Sequence, residues 1–109
     1  MSLRPPRKFT KELDPLSAAL EAEVLAEKAG TLARLGTRLE HRLARLREFE
    51  ECGGADADRR AALLAEAGEA LWHVVIQREL CGLRNSAQFY RDYCVPRAVI
   101  LRMGPNLRR

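Results

Sequence analysis

The sequence predicts an all-α protein, and two observations support that fold class. The chain is rich in Ala, Leu, Glu and Arg and poor in β-branched and aromatic residues, a composition typical of helical domains. Its apolar residues recur at helical spacing, whereas no segment shows the alternation of a β-strand. We expect a long N-terminal helix packed on a central apolar helix, two short C-terminal helices, and a bundle completed by dimerisation.

The first element is a long helix from Asp14 to Cys52. Asp14 suits an N-cap, Pro15 suits the first helical position, and Gly53-Gly54 ends the helix. Leucines recur every seven residues with mostly small residues at the companion position, a pattern typical of closely packed helices. Some 38 residues span about 57 Å, more than one ordinary intrachain neighbour covers. We therefore expect two copies to associate, antiparallel, through a seam that comprises Leu25, Leu32, Gly36, Leu39, Leu43 and Leu46. The alternative is a monomer whose helix bends near Gly30 or Gly36.

A second helix is expected from about Arg59 to Cys81, with Asp56 and Asp58 as alternative N-caps. Its segment 71–76 is apolar nearly all round, which indicates a helix between neighbours, and we expect Trp72 to be the largest buried side chain. Gly82 is the expected C-terminal stop.

The remaining elements are shorter. Asn85 and Ser86 start a third helix that runs to about Tyr93, and Pro96 opens a last helix that runs to Met103. The chain of 109 residues suits one core. We divide it into a basic arm (1–13), one helical domain (14–104) and a basic tail (105–109).

No catalytic, cofactor-binding or metal-binding residues are predicted. The chain lacks a glycine-rich phosphate loop, HExxH and GxSxG, and its three cysteines lie far apart with no CxxC pair. His73 follows Glu69 by one helical turn, and a structural pair is the simplest interpretation. A metal or phosphoryl site at His73 is the alternative. Cys81 and Cys94 are interpreted as small core residues. We do not expect an enzyme.

The charge pattern leaves a nucleic-acid hypothesis open. The net charge is +4, and basic residues recur at helical spacing along the long helix and could contact an anionic partner: Arg34, Arg38, Arg42 and Arg45. The alternative function is therefore a DNA-binding regulator that uses these arginines or the helix-turn-helix-like segment 83–103. Against it, the last helix is mostly apolar, and such arginines usually pair with neighbours such as Glu40 and Glu48.

Four short segments in the C-terminal half carry a resemblance to a known family: Leu71–Glu79, Tyr90–Tyr93, Val95–Arg97 and Arg102–Gly104. They resemble a small uncharacterised bacterial family of all-helical proteins of unknown function. The resemblance implies an all-α fold and no activity. The longest apolar runs are too short to span a bilayer, and unpaired cysteines suit the cytoplasm. The leading hypothesis is a homodimeric, non-catalytic interaction or adaptor protein with a helical partner surface.

Overall fold

A computed structural model describes residues 14–107, and the fold of this part is all-α, as the sequence predicts. Helix α1 spans Pro15–Glu51, α2 spans Ala57–Leu80, α3 spans Ser86–Asp92 and α4 spans Arg97–Ile100. The described residues contain no strand. The basic arm at residues 1–13 and the last two residues of the tail lie outside the described range.

Side-chain caps fix the starts of the first three helices. In each case a carboxylate or amide oxygen of the N-cap accepts a hydrogen bond from the backbone N–H three residues further on, which satisfies one of the donors that a helix start leaves free. The pairs are Ser17 N to Asp14 (3.0 Å), Arg59 N to Asp56 (3.1 Å) and Gln88 N to Asn85 (3.3 Å). The expected caps Asp14 and Asn85 are confirmed, and Asp56 rather than Asp58 caps α2.

The end of α2 is a Schellman turn. Leu83 N donates to Arg78 O at 2.8 Å, and Gly82 N donates to Glu79 O at 3.0 Å. Gly82 has φ +82°, a conformation that glycine adopts without the penalty of a Cβ. The predicted stop at this glycine is confirmed, and it turns the chain toward α3.

Helices α1 and α2 form an antiparallel hairpin whose facing sides make the core. Arg60 contacts Glu50 near the turn, whereas Gln77 contacts Lys28 at the other end. Leucines of α1 meet a broader apolar face of α2, and one residue each from α3 and α4 completes the buried cluster. Its members are Leu39, Leu43, Leu46, Leu63, Leu64, Ala67, Ala70, Leu71, Val74, Phe89 and Val99.

Trp72 is not the largest buried side chain of the core, contrary to the sequence prediction. Leu71 and Val74 are fully buried, whereas Trp72 is only half-buried and its ring lies 5.4 Å from that of His73. The apolar segment of α2 turns Leu71 and Val74 toward α1, which leaves Trp72 on the flank of the hairpin. The largest residue of the segment therefore carries less of the burial than its size suggests.

The C-terminal segment packs on α2 through a close backbone approach. Val99 of α4 is fully buried, and the chain after α4 passes directly over Gly68. Helix α4 ends at Ile100, three residues before the predicted end at Met103. Asn106 N donates to Glu69 Oε2 at 3.0 Å, so the chain remains attached to α2 beyond Gly104.

Helix α1 is continuous through Gly30 and Gly36, and it extends well beyond the hairpin. Its 37 residues correspond to about 55 Å at 1.5 Å per residue. The molecule measures 73 × 28 × 25 Å and its radius of gyration is 20.1 Å, against ~13 Å for a compact domain of this size. The bend that would fold α1 back on itself is therefore absent from the described helix.

Candidate functional site

The first turns of α1 form a projecting apolar surface. We call residues 15–27 the overhang, because they lie beyond the point where Gln77 of α2 contacts Lys28 and all of them but Ser17 are exposed. Its large apolar side chains are exposed by 70% at Leu16, 53% at Leu20, 52% at Val24 and 65% at Leu25. Leu16, Leu20 and Val24 are spaced four residues apart, so they follow one side of the helix. A helix with such a stripe normally buries it against another element.

The end of α2 adds more exposed apolar surface at the base of the overhang. Gln77 Nε2 donates to Lys28 O at 3.2 Å, which fixes the position of this end beside α1. Ile76, Leu80 and Leu83 are exposed there. Seven of the nine large hydrophobic residues that the described chain exposes therefore lie at one end of the molecule. A concentration of this kind marks an interaction surface more often than scattered single residues do.

Most of the predicted dimer seam is covered within the chain. Gly36, Leu39, Leu43 and Leu46 are buried, the three leucines in the shared core of the hairpin. Leu32 is half-buried against the same core. A heptad of leucines specifies a helical neighbour but not the chain that supplies it, and here α2 supplies it. Of the six predicted residues, Leu25 remains fully available to a partner.

The arginines of α1 are divided between the solvent and intrachain ion pairs. Arg45 and Arg42 contact Glu66 of α2 at 3.2 and 4.0 Å, and these pairs link the two helices of the hairpin. Arg34 lies 3.7 Å from Glu27 in an exposed pair. The partners are therefore Glu66 and Glu27 rather than the expected Glu40 and Glu48.

The stripe consequently offers little free charge to a polyanion. Arg38 is exposed, and none of the ion pairs among residues 14–107 includes it. The helix-turn-helix-like segment is also committed to packing, because Phe89 and Val99 are buried in the core. Helix α4 has four residues, too few to present a recognition surface along a groove.

The residues considered for chemistry do not converge on one place. Glu69 accepts the hydrogen bond from Asn106 N, and the ring of His73 contacts Trp72 instead of forming the expected pair with Glu69. Cys94 is exposed and Cys81 half-buried, so the expectation that both are core residues is wrong. Within residues 14–107, no three or more His, Cys, Asp or Glu side chains come together as a metal site would require.

Among the described helices, none combines the length and the apolar character that crossing a bilayer requires.

The geometry defines a small all-α protein built on an antiparallel hairpin with one overlong helix. The chain belongs to DUF6665, a family of unknown function whose model matches residues 1–108. The expected membership of an uncharacterised family is confirmed, and the match extends well beyond the C-terminal segments that carried the resemblance. Comparison with curated proteins and with solved structures gave no match.

Proposed function

We propose that this protein is a homodimeric helical interaction protein and that two copies associate through their overhangs. The observation that carries the proposal is the concentration of exposed apolar side chains at this end: Leu16, Leu20, Val24 and Leu25 on α1, with Ile76, Leu80 and Leu83 beside them. The proposal assigns no catalytic step to the protein. The unpaired thiols suit a reducing compartment, and we propose the cytoplasm.

The length and position of the overhang favour a second copy as its occupant. The overhang continues a helix that α2 packs against only beyond it, and a neighbour that covers the apolar stripe removes its exposed side chains from water. When two overhangs lie antiparallel, the tip of each, at Leu16, reaches the base of the other. There the exposed end of the partner's α2 provides apolar surface. One two-fold contact thereby covers the apolar residues of both elements.

Antiparallel packing is also favoured by the electrostatics of the helices. It places the positive end of each helix dipole beside a more C-terminal part of the other helix, whereas parallel packing brings both N-termini together.

The matched test compares charge insertion on two sides of the overhang. Leu20→Glu places a carboxylate in the proposed interface, and we expect the dimer to dissociate into monomers in light scattering. Ala26→Glu introduces the same charge at an exposed position about 120° around the helix from Leu20, and it should leave the dimer intact. Equal masses for the two variants would contradict the assignment of the interface.

The DNA-binding hypothesis gives a different result in the same preparations. It requires binding to duplex DNA that weakens steeply with salt and that is lost in Arg38→Gln. The exposure of Arg38 is the observation in its favour. Absence of binding at low salt would remove this hypothesis and leave the dimer proposal unaffected.

A further inference from the structure

A second surface of the molecule is a cleft of about 620 Å³ between α1, the C-terminal part of α2 and α3. It is separate from the overhang, since its wall on α1 begins at Ala29 and continues to Glu40. Ala29, Leu32 and the edge of Phe89 contribute apolar surface. The volume lies within the range of small-molecule sites, and an apolar lining with a few polar groups is their usual composition.

Arg78 provides a cation in this cleft that the protein leaves partly unsatisfied. Its guanidinium carbon lies 4.6 Å from the centroid of the Phe89 ring, and its Nη2 donates to Asn85 O at 3.2 Å. Its Nε is buried and has no hydrogen-bond partner. None of the ion pairs within residues 14–107 includes Arg78. The buried Nε is out of a ligand's reach, but the two Nη groups carry N–H bonds beyond the one given to Asn85, and a carboxylate is the acceptor that satisfies them best.

Two carboxylates line the same cleft without a cationic partner. Glu40 and Asp92 take part in none of the ion pairs of the described chain. Asp92 accepts a hydrogen bond from Gln88 at 2.7 Å through one oxygen, and its other oxygen remains for a ligand. Together with Arg78, these residues give the cleft both signs of charge. An anion would be attracted by Arg78 and repelled by the two carboxylates, and a cation would experience the reverse. A ligand that carries both a positive and a negative charge can pair with all three groups.

The hydroxyl of Tyr93 adds a neutral donor opposite α1. It lies 3.4 Å from the position that a Cβ on Gly36 would occupy. Gly36 therefore lets this hydroxyl lie close against α1, and a methyl group added there would contact it.

We propose that the cleft binds a small zwitterion of amino-acid size. Arg78 and the Tyr93 hydroxyl bind its carboxylate, Glu40 and Asp92 bind its ammonium group, and the apolar wall formed by Ala29 and Leu32 contacts its side chain. Ligand binding in the cleft and dimerisation through the overhang use different surfaces, so a negative result for one does not contradict the other.

The first test is a titration of the full chain with each of the proteinogenic L-amino acids, followed by calorimetry and by NMR of the amide and arginine side-chain N–H groups. We expect at least one amino acid with an apolar side chain to bind and to shift the Arg78 Nε signal. Two matched probes then separate the charges: the carboxylic acid that lacks the amino group, and the amine that lacks the carboxylate. Each should bind at least about tenfold more weakly, since each leaves one sign of charge in the cleft unpaired.

A pair of glycine variants separates binding from folding. Gly36→Ala places a methyl group in the cleft beside the Tyr93 hydroxyl, and we expect affinity to fall by about tenfold or more, as an extra methyl group in a fitted pocket does. Gly30→Ala makes the same change in the same helix outside the cleft and should leave affinity unchanged. Alanine is the better helix former at both positions, and an added Cβ at Gly36 meets only the Tyr93 hydroxyl at the ordinary contact distance of 3.4 Å, so we expect Gly36→Ala to remain folded.

Three results would overturn the proposal. One is the failure of every amino acid to bind. Another is a carboxylic acid that binds as tightly as the corresponding amino acid, because the acidic residues would then have no role. The third is unchanged affinity in Gly36→Ala, which would place the binding site elsewhere on the molecule.

Discussion

Substituting alanine for glycine inside the two long helices should change stability in opposite directions at Gly30 and Gly68. In an ordinary helix interior, alanine is favoured over glycine by about 1 kcal/mol. Gly30 meets this condition, since the nearest group to an added Cβ is the flexible end of Arg34 at 3.5 Å. We expect Gly30→Ala to stabilise the protein by about that amount.

Gly68 is different because backbone lies over it. A Cβ on Gly68 would lie 2.8 Å from the carbonyl carbon of Arg102 and closer still to its oxygen. A backbone group cannot rotate away, so the segment after α4 must move, at a cost near the upper end of the ~1–3 kcal/mol that overpacking causes. After the helix gain of about 1 kcal/mol is subtracted, the net loss is about 2 kcal/mol.

Thermal unfolding followed by far-UV circular dichroism measures both variants. For a domain of about 100 residues, 1 kcal/mol corresponds to about 4–8 °C, so we expect Tm to fall by about 8–16 °C in Gly68→Ala and to rise by about 4–8 °C in Gly30→Ala. All samples need equal protein concentration, because Tm of a dimer depends on it. A Gly68→Ala variant as stable as Gly30→Ala would refute the close approach of the C-terminal segment to α2.

Two further substitutions test the core and a strained turn. Leu71→Ala should lower the free energy of unfolding by about 3 kcal/mol because the side chain is fully buried. Trp72→Ala should lower it by only about 1–2 kcal/mol, below the range for a buried ring, because Trp72 is half-buried. Denaturant unfolding measures both variants, and a larger loss in Trp72→Ala than in Leu71→Ala would contradict the fold. Cys94 has φ +52° after α3, a conformation that costs a non-glycine residue ~1–2 kcal/mol. Cys94→Gly should therefore raise the free energy of unfolding by about 0.5–1 kcal/mol, because the greater conformational entropy of glycine in the unfolded chain cancels part of the relieved strain. A less stable variant would show that the turn depends on the cysteine side chain.

Most helix boundaries were predictable because they depend on nearby residues. Asp14 and Asn85 cap helices through atoms three residues away, and Gly82 ends α2 through its own backbone. The apolar stripe of the overhang could also be recognised in the sequence, because Leu16, Leu20 and Val24 follow one side of the helix at four-residue spacing. The heptad pattern does not include these three residues.

Features that depend on distant parts of the chain were not predictable. The leucines Leu39 and Leu43 show the same heptad pattern whether α2 or a second chain covers them, and only the tertiary fold decides. The role of Gly68 depends on the path of the backbone at Arg102, 34 positions later in the numbering. The position of Arg78 in the cleft likewise depends on its contact with Phe89. The Schellman turn and α3 bring Phe89 to that contact.

Homodimerisation through the overhang is the central claim, and the molar mass in solution tests it most directly. Light scattering of the full chain across a dilution series should give twice the chain mass of 12.3 kDa at the higher concentrations, with dissociation only on dilution. A single-chain mass at every concentration would contradict the claim, because the exposed leucines of α1 and α2 would then remain in water without a second copy to cover them.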